Sequence, residues 1–275
     1  MSYKVAAIQM DIAYKNPGQN HLRAAELINK AMEYDPNVVV LPETWTTGYS
    51  EGVFREIYKY AEPEDGPSMA MIRNSAAKYG TWIVSGSFPE LDGSRVYNTV
   101  YLIDRSGNIV GKYRKMHLYS AMDEDKAFAN GQEMPVLHTE VGSIALMTCY
   151  DIRFVELSRT YAVRGADIIY VVSNFPNPKK NHWRTLLQAR AIENQCYIVA
   201  CNRVGAAENS TYFGHSLIID PWGEIIKEGD ECESILVGEV DLKRVHEVRK
   251  TIPMFFDRQP HSYPDDILRP SKPIF

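Results

Sequence analysis

Basic clusters, long apolar runs and paired cysteines are all missing from this sequence of 275 residues. Lysine and arginine total 30 against 35 aspartate and glutamate residues, which gives a formal net charge of −5, and no more than two basic residues are adjacent. Nucleic acid is therefore excluded as the main partner, because phosphate binding depends on clustered lysine and arginine. No stretch approaches the roughly 18 uninterrupted apolar residues of a membrane-spanning helix, so the sequence predicts no membrane association.

Signals for secretion and for metal binding are missing as well. The N-terminal residues do not combine a charged segment with an apolar segment as a signal peptide does. The four cysteines, at positions 149, 196, 201 and 232, form no CxxC pair and no zinc-finger spacing with histidine. Glycine-rich phosphate loops of the two common types are also absent. The sequence therefore predicts a cytoplasmic protein with reduced thiols, and nothing in it calls for a metal ion.

The composition is that of an ordinary globular protein, with 45% hydrophobic and 24% charged residues, enough to bury a sizeable core. Apolar strands alternate with amphipathic helices along the chain. Strands are predicted at 4–10, 38–41, 81–87, 96–103, 109–113, 144–147, 167–172, 197–202, 215–220, 224–227 and 235–240, and helices at 19–34, 67–79, 152–164 and 181–195. Since no linker or repeat interrupts them, residues 1–249 are predicted to form one mixed α/β domain. Residues 250–275, rich in proline and aromatic side chains, are predicted to form an extended arm.

Three polar residues follow predicted strands, where α/β folds place reactive groups. Glu43 follows the strand at 38–41, and a carboxylate drawn toward a low-dielectric core has a raised pKa that suits a general base. Cys149 lies between a strand and the helix predicted from 152, where the helix dipole is expected to lower the thiol pKa. Lys115 follows the strand at 109–113 and suits the stabilisation of developing negative charge. Taken singly, each also fits an ordinary role as a loop acid, an inert buried thiol or a solvated strand residue.

Three short segments, taken in order, resemble the nitrilase superfamily of carbon–nitrogen hydrolases. They are LPE at 41–43, YRKMHL at 113–118 and CYDIRF at 149–154, which place Lys115 72 residues after Glu43 and Cys149 34 residues after Lys115. Further segments agree with the family, among them AIQM at 7–10, ARAIENQCYIVACNRVG at 189–205 and FGHSLIIDPWGE at 213–224. The resemblance runs from about residue 4 to 245, so it covers most of the chain and is far more specific than any single residue.

The resemblance implies a role for each matching residue. Cys149 corresponds to the nucleophile that attacks an amide or nitrile carbon, and Glu43 to the general base that takes the thiol proton and later activates water. Lys115, with the backbone N–H of Tyr150, corresponds to the group that stabilises the tetrahedral oxyanion. Glu124 corresponds to a second glutamate that orients substrate and reacting groups. The implied chemistry is hydrolysis of a non-peptide carbon–nitrogen bond through a cysteine thioester, with release of ammonia and without a metal or organic cofactor.

The resemblance also implies an architecture. The family fold is a four-layer α-β-β-α sandwich, with two sheets packed face to face and helices outside, in a single domain. Family members assemble through helix packing, so a homodimer or a higher homo-oligomer is expected. The arm at 250–275 is then expected to reach across the dimer interface.

For the substrate, the segment CYDIRFVEL at 149–157 is most similar to the ω-amidase branch, which hydrolyses short dicarboxylic monoamides such as 2-oxoglutaramate. Tyr150 favours an amide over a nitrile, because nitrilases commonly carry tryptophan after the nucleophile. An N-carbamoyl-amine hydrolase, an aliphatic amidase or nitrilase, and a catalytically silent scaffold remain alternatives. The candidate substrate-binding residues are Tyr49, Tyr150, Asn174, Phe175 and one cation, either Lys179 or Lys180, that suits a substrate carboxylate.

Overall fold

Two six-stranded sheets form the body of the protein in this computed structural model, which describes residues 2–263. The strands are β1 Ser2–Gln9, β2 Val38–Val40, β3 Trp82–Asp92, β4 Arg95–Ile103, β5 Ile109–Arg114, β6 Leu137–Thr139, β7 Gly142–Thr148, β8 Ile168–Ser173, β9 Tyr197–Asn202, β10 Val204–Ala207, β11 Ser210–Phe213, β12 Leu217–Ile219, β13 Ile225–Glu228 and β14 Ser234–Asp241. The helices are α1 Pro17–Ala31, α2 Glu51–Phe54, α3 Ile57–Tyr60, α4 Pro67–Tyr79, α5 Glu124–Ala127, α6 Val155–Val163, α7 Lys180–Asn194, α8 Leu242–Thr251 and α9 Met254–Asp257. Short 3₁₀ segments cover Met32–Tyr34, Ser120–Met122, Cys149–Arg153 and Pro260–Ser262.

Each sheet has a parallel centre and antiparallel edges. The strand order is β14–β1–β2–β3–β4–β5 in the first sheet and β13–β12–β9–β8–β7–β6 in the second. β1, β2 and β3 are parallel neighbours in the first sheet, as are β7, β8 and β9 in the second. The hairpin β10–β11 stands apart from both sheets. Because parallel strands end at the same edge, the residues that follow β7, β8 and β9 come close together.

The alternation of side chains along β2 shows how the layers form. Val38 and Val40 point to one face and pack in a core that includes side chains of β7 and β8 in the second sheet. Val39 points to the other face and packs with the buried sides of α1 and α4. Leu157 of α6 and Trp183 of α7 pack in the core of the second sheet. The predicted four-layer α-β-β-α sandwich in a single domain is therefore confirmed.

Capping residues fix the ends of the two helices on the first sheet. α1 begins after Asn16, whose side chain accepts a hydrogen bond from the backbone N–H of Gln19 at 3.2 Å, and Pro17 occupies the first helical position. α4 likewise begins with Pro67 and ends at Gly80, which has a left-handed backbone with φ of 62°. Neither these helices nor any other in the described part of the chain is long and apolar enough to cross a membrane.

The helix predicted at 152–164 begins later than expected. A 3₁₀ turn covers Cys149–Arg153, the backbone of Phe154 is extended, and α6 spans only Val155–Val163. Cys149 itself has a left-handed backbone, with φ of 46°, which a right-handed α-helix does not contain. The cysteine therefore stands in a tight turn and not at the N-terminus of an α-helix, so the predicted dipole effect has no α-helix to supply it.

The C-terminal segment, residues 250–263, also differs from the prediction. The predicted boundary between residues 249 and 250 falls inside α8, since that helix continues to Thr251. Beyond it, α9 at Met254–Asp257 and the last 3₁₀ segment at Pro260–Ser262 form helical turns, so these parts of the predicted arm are not extended. Pro253 and Pro260 stand just before and at the start of these turns, where the missing N–H of proline is tolerated. Residues 264–275 of the predicted arm lie outside the described residues.

Candidate active site

The residues that the sequence singled out follow four strands. Glu43 comes three residues after β2, Lys115 directly after β5, Cys149 directly after β7 and Asn174 directly after β8. β2 and β5 belong to one sheet, and β7 and β8 to the other. The backbone N–H of Asn174 nevertheless donates a hydrogen bond to Oε2 of Glu43 at 2.8 Å. The two sheets therefore build one site between them.

A buried lysine and two buried carboxylates form the centre of this site. Lys115 Nζ lies 3.0 Å from Oε1 of Glu43 and 2.8 and 2.9 Å from the two carboxylate oxygens of Glu124. All three side chains are fully buried. Burial alone would lower the pKa of Lys115, but the carboxylates of Glu124 and Glu43 outweigh it and raise that pKa above its usual value. The lysine is therefore a permanent cation in the site.

Glu43 accepts hydrogen bonds on both carboxylate oxygens. Its Oε1 accepts from Lys115 and from Nδ2 of Asn98 at 3.0 Å, and its Oε2 accepts from the backbone of Asn174. The Asn174 side chain also donates to the backbone carbonyl of Glu43. Burial raises the pKa of Glu43, the cation of Lys115 opposes that rise, and the negative charge of Glu124 adds to it. A firmly held carboxylate with a raised pKa suits a general base.

Glu124 is held on a short helix, α5, inside the long segment between β5 and β6. Tyr49 donates its hydroxyl to Glu124 Oε2 at 2.7 Å, and the backbone N–H of Tyr119 donates to the same oxygen at 2.6 Å. Both oxygens also contact Lys115, as described above. Glu124 therefore links the buried lysine to two tyrosines.

Cys149 is buried, with 7% of its surface exposed, and lines a cavity. Burial raises the pKa of its thiol well above the usual value, the negative charge of Glu43 raises it further, and Lys115 opposes both. The predicted lowering of the thiol pKa is therefore wrong, because desolvation and a neighbouring carboxylate outweigh the one cation. Glu43 is the carboxylate that acts most strongly on the thiol in this buried site, so it is placed to take the thiol proton.

A buried aspartate fixes the turn that carries the cysteine. Oδ2 of Asp151 accepts hydrogen bonds from the hydroxyl of Tyr113 at 2.7 Å and from the backbone N–H of Thr148 at 2.9 Å. Its Oδ1 lies 2.8 Å from Nδ1 of His117. Tyr113 and His117 stand two residues before and two residues after Lys115. Asp151 therefore joins the segment of the lysine to the turn of the cysteine.

A cavity of about 280 Å³ opens onto the thiol. It is lined by Tyr49, Tyr119, Met122, Cys149, Tyr150, Arg153, Asn174, Phe175, Pro176, Lys179 and Tyr212. All four predicted substrate-binding residues, Tyr49, Tyr150, Asn174 and Phe175, are among them. Because this volume is at the low end for ligand sites, the cavity suits a substrate of few atoms.

Two cations line this cavity without a carboxylate partner among residues 2–263. The guanidinium of Arg153 lies 5.5 Å from the ring centre of Phe175. Nζ of Lys179 lies 5.2 Å from the ring centre of Tyr119. Aromatic rings leave the charge of both groups uncompensated, so both are available to a ligand carboxylate.

Of the two lysines that the sequence left open, Lys179 is the one that lines the cavity. Nζ of Lys180 lies 3.4 Å from a carboxylate oxygen of Glu231 instead. Arg153 escaped prediction, although it stands four residues after the cysteine inside the CYDIRF segment. Asn98 escaped as well, and its one signal is an amide in a strand most of whose residues are apolar or aromatic.

The arrangement supplies the parts of a covalent hydrolase: a thiol, a carboxylate that can take its proton, and a buried cation beside both. Among the described residues, no group of three or more histidine, cysteine, aspartate or glutamate side chains is placed to hold a metal ion. A sequence model of the carbon–nitrogen hydrolase family matches residues 4–250. The chain belongs to the carbon–nitrogen hydrolase family. It is therefore an enzyme of this class, and the resemblance to the nitrilase superfamily is confirmed.

Relatives of this carbon–nitrogen hydrolase include omega-amidases. It is 40% identical over 258 residues to the 2-oxoglutaramate amidase of Bacillus subtilis, covering 94% of this chain and 98% of that protein. It is 30% identical over 279 residues to the omega-amidase of Homo sapiens, covering 98% and 99% of the two chains. The crystal structure of Saccharomyces cerevisiae Nit3, a member of branch 10 of the nitrilase superfamily, has a TM-score of 0.87, 30% identity and coverage of 95% and 97%. The enzyme is therefore omega-amidase-like in sequence over nearly its whole length.

Proposed function

We propose that this enzyme hydrolyses the terminal amide of a short dicarboxylic monoamide, such as 2-oxoglutaramate, and releases ammonia. The observation that carries the proposal is that one small cavity joins the thiol of Cys149 to the cations of Arg153 and Lys179. A thiol beside its base reacts with the amide end of such a substrate, and an uncompensated cation binds the carboxylate at the other end. The 40% identity to the 2-oxoglutaramate amidase of Bacillus subtilis supports the same substrate class.

In the acylation step, the thiol attacks the amide carbon. Glu43 takes the thiol proton as Sγ of Cys149 bonds to the carbon, and the negative charge moves onto the amide oxygen. Lys115 and the backbone N–H of Tyr150 stabilise this oxygen, with about 3–4 kcal/mol from each good donor. Glu43 then passes its proton to the nitrogen, and the carbon–nitrogen bond breaks. Ammonia departs, and the acyl group remains bound to the cysteine as a thioester.

In the deacylation step, water attacks the thioester carbon. Glu43 takes a proton from the water as the water oxygen bonds to the thioester carbon. Glu43 then passes this proton to the sulfur when the carbon–sulfur bond breaks. The products are the carboxylic acid and the regenerated thiol. Glu124 holds Lys115 in place with both oxygens during these steps. Charge therefore moves between groups already present and is not created in a dry cavity.

Ammonia release from a panel of small compounds tests the proposal. The panel contains 2-oxoglutaramate, glutarate monoamide, the neutral amide valeramide, an N-carbamoyl amine and a nitrile, and Cys149→Ala is the control. We expect the highest kcat/KM with the two monoamides and no release by Cys149→Ala. A higher value with the N-carbamoyl amine, valeramide or the nitrile would instead assign the enzyme to that substrate class. No release from any compound, together with no labelling of Cys149 by iodoacetamide, would favour the silent scaffold.

The carboxylate contact is tested by removing the two cations. Arg153→Gln and Lys179→Met are each expected to raise KM for glutarate monoamide roughly 10- to 100-fold, because each loses a charged hydrogen bond to the substrate. Their kcat/KM for valeramide, which has no carboxylate, is expected to stay within about twofold of wild type. Lys180→Met, outside the cavity, is the matched control. Equal losses on both substrates would contradict the carboxylate contact.

We further propose that the enzyme is a homodimer joined through α6, α7 and the C-terminal segment. Large apolar side chains are exposed on these elements and in a turn that adjoins α7: Val155 and Val163 on α6, Ile192 on α7, Trp222 after β12, and Ile252, Phe256 and Tyr263 in the C-terminal segment. Gln195, at the end of α7, donates a hydrogen bond to the backbone carbonyl of Ile252 at 2.8 Å, so the C-terminal segment adjoins α7. Clustered exposed apolar side chains are typical of a protein–protein interface. Residues 250–275 are then part of the contact between the two subunits.

We also propose that the enzyme works in the cytoplasm. All four cysteines are free thiols, and the nucleophile acts only in its reduced form. A reducing compartment keeps such thiols free. Detection of the enzyme in the cytosolic fraction of disrupted cells tests this location, and its recovery outside that fraction would contradict it.

A further inference from the structure

Asn98 joins the two buried carboxylates of the active site. Its Nδ2 lies 3.0 Å from Oε1 of Glu43 and 3.2 Å from Oε1 of Glu124. Nζ of Lys115 contacts the same two oxygens, at 3.0 and 2.8 Å. An amide nitrogen carries two N–H groups, so one can serve each carboxylate. Two oxygens and two nitrogens therefore alternate in a closed ring whose four side chains are fully buried.

The charges in this ring do not balance. Two carboxylates and one ammonium sum to −1 in a site removed from water. Burial raises the pKa of Glu43, and the negative charge of Glu124 raises it further, against the opposing effect of Lys115. A protonated Glu43 cannot take the thiol proton. A neutral N–H donor stabilises the carboxylate form without bringing another charge into the core.

The contacts of Asn98 indicate that the functional part of its side chain is the amide nitrogen, Nδ2. Nδ2 is used twice, whereas the equally buried Oδ1 has no hydrogen-bond partner among residues 2–263. A residue selected only for packing in β4 would gain from an apolar side chain, because an unpaired buried oxygen costs stability. The backbone carbonyl of Asn98 accepts a hydrogen bond from the backbone N–H of Lys115 at 2.9 Å, and any residue at this position can keep that contact.

We propose that Asn98 is a positioning residue that keeps Glu43 ionised and aimed at the thiol of Cys149 by sharing its two N–H groups between Glu43 and Glu124. This inference rests on the proposed function, since it takes Glu43 as the base of the reaction. Asn98 does not line the cavity. Its loss therefore acts on the chemical step and not on substrate binding.

The groups around the base come from several elements. Lys115 follows β5, Glu124 is on α5, and the thiol of Cys149 follows β7. Tyr49 and Tyr212 face the base from the segment after β2 and from β11, and burial raises the pKa of both hydroxyls above the usual value, so they stay neutral. Glu124 is the other carboxylate of the ring, so the test includes a variant at this position.

Asn98→Leu, which keeps the approximate shape and removes the donor, tests the proposal. We expect kcat for glutarate monoamide to fall roughly 10- to 100-fold while KM changes less than about threefold. The acid limb of the kcat/KM profile is expected to move to higher pH, because Glu43 loses a donor that favours its ionised form. Asn98→Ser, too short to reach both carboxylates, is expected to change both quantities in the same direction. Asn29→Leu on the exposed side of α1 is the matched control.

A double-mutant cycle separates this role from a purely structural one. Glu124→Gln replaces one carboxylate by an amide and so removes the excess negative charge that raises the pKa of Glu43. In that background the donor of Asn98 is needed less, and Asn98→Leu is expected to lower kcat less than about threefold. Fully multiplicative losses with an unmoved acid limb, in variants that melt like wild type, would overturn the proposal.

The reaction of Cys149 with iodoacetamide gives a readout that needs no substrate. Its acid limb is expected to move to higher pH in both Asn98 variants, because the thiol proton must pass to an ionised Glu43. If the wild-type enzyme released no ammonia from any amide, the proposed function would fail, and this alkylation profile would still decide the role of Asn98. An alkylation profile identical to that of wild type in both variants would contradict the inference.

Discussion

At the scale of single residues, the candidate site combines side chains that the sequence made recognisable with others that it did not. Glu43, Lys115 and Cys149 could be predicted, because each follows an apolar strand within a segment that resembles one family. Asn98 could not, because its partner Glu43 is 55 residues away and only strand pairing brings them together. Arg153 could not be distinguished from a surface cation until the cavity was seen.

The pH dependence of the reaction is set by the base. Burial raises the pKa of Glu43, and the base works only when ionised, so kcat/KM is expected to rise with pH through a midpoint above the usual value of 4.5. Glu43→Gln is expected to lower kcat by roughly 10²- to 10⁴-fold and to remove this acid limb from the residual activity. Steady-state rates over a pH series check both, with Glu33→Gln on the surface as the control. An acid limb that survives in Glu43→Gln would assign it to another group.

At the scale of elements, periodicity predicted most helices and strands, because the spacing of apolar residues reflects which side of an element is buried. The 3₁₀ turn at Cys149–Arg153 could not be predicted in this way. It depends on the carboxylate of Asp151, whose hydrogen bond from Tyr113 spans 38 residues of sequence. Long-range contacts of this kind override local helix preference.

A glycine in β3 allows the segment that carries Glu43 to pack closely against this strand. Gly86 has φ of 65° at an irregularity of β3, and a Cβ there would lie 2.3 Å from the carbonyl oxygen of Pro42, next to Glu43. Gly86→Ala is therefore expected to destabilise the fold by about 2–4 kcal/mol and to lower kcat. Gly93→Ala is the control, because φ there is 59° but no atom lies within 4 Å, so about 1–2 kcal/mol is expected. Urea unfolding compares the two variants, and equal losses would contradict the clash.

An ionic cluster on β3 to β5 makes the stability of the first sheet depend on pH. Burial alone would raise the pKa of Glu90, but hydrogen bonds from Arg114, Lys112 and Thr99 outweigh it and lower that pKa to about 2. The stabilisation is therefore complete above pH 4.5 and is lost as the pH falls toward 2. Glu90→Gln is expected to lower the free energy of unfolding by about 2–3 kcal/mol at neutral pH, with a difference that vanishes near pH 2. Urea unfolding at several pH values measures this difference, and a constant one would contradict the assignment.

At the scale of the whole molecule, the pattern of strands and helices predicted one mixed α/β domain but not its layers. Which face of each sheet meets the other depends on contacts between distant segments, such as the core shared by β2 and β8. The layering was implied only by the resemblance to a family. The C-terminal segment shows the opposite case, since composition predicted an extended arm where Met254–Asp257 and Pro260–Ser262 form helical turns.

The proposed dimer is tested at its most exposed apolar side chain. Phe256 is 90% exposed, so Phe256→Asp is expected to leave the fold of the subunit intact. The charge is expected to weaken the dimer at least about tenfold, and deletion of residues 252–275 is expected to weaken it as well. Sedimentation velocity over a dilution series measures the dissociation constant. Tyr58→Asp, an exposed aromatic on α3, is the control, and an unchanged dimer in Phe256→Asp and in the deletion variant would place the interface elsewhere.

The excess negative charge formed by Glu43, Glu124 and Lys115 also affects the release of the product. In the proposed reaction, hydrolysis of a dicarboxylic monoamide converts an uncharged amide into a second carboxylate near Glu43 and Glu124, both of which contact Lys115. The uncharged amide end of the substrate meets no electrostatic opposition there, whereas the new carboxylate faces two negative charges against the one positive charge of Lys115 in a site of low dielectric. The charges that prepare the thiol for attack therefore also drive the product out. The dicarboxylate product is therefore expected to leave quickly and to inhibit only weakly.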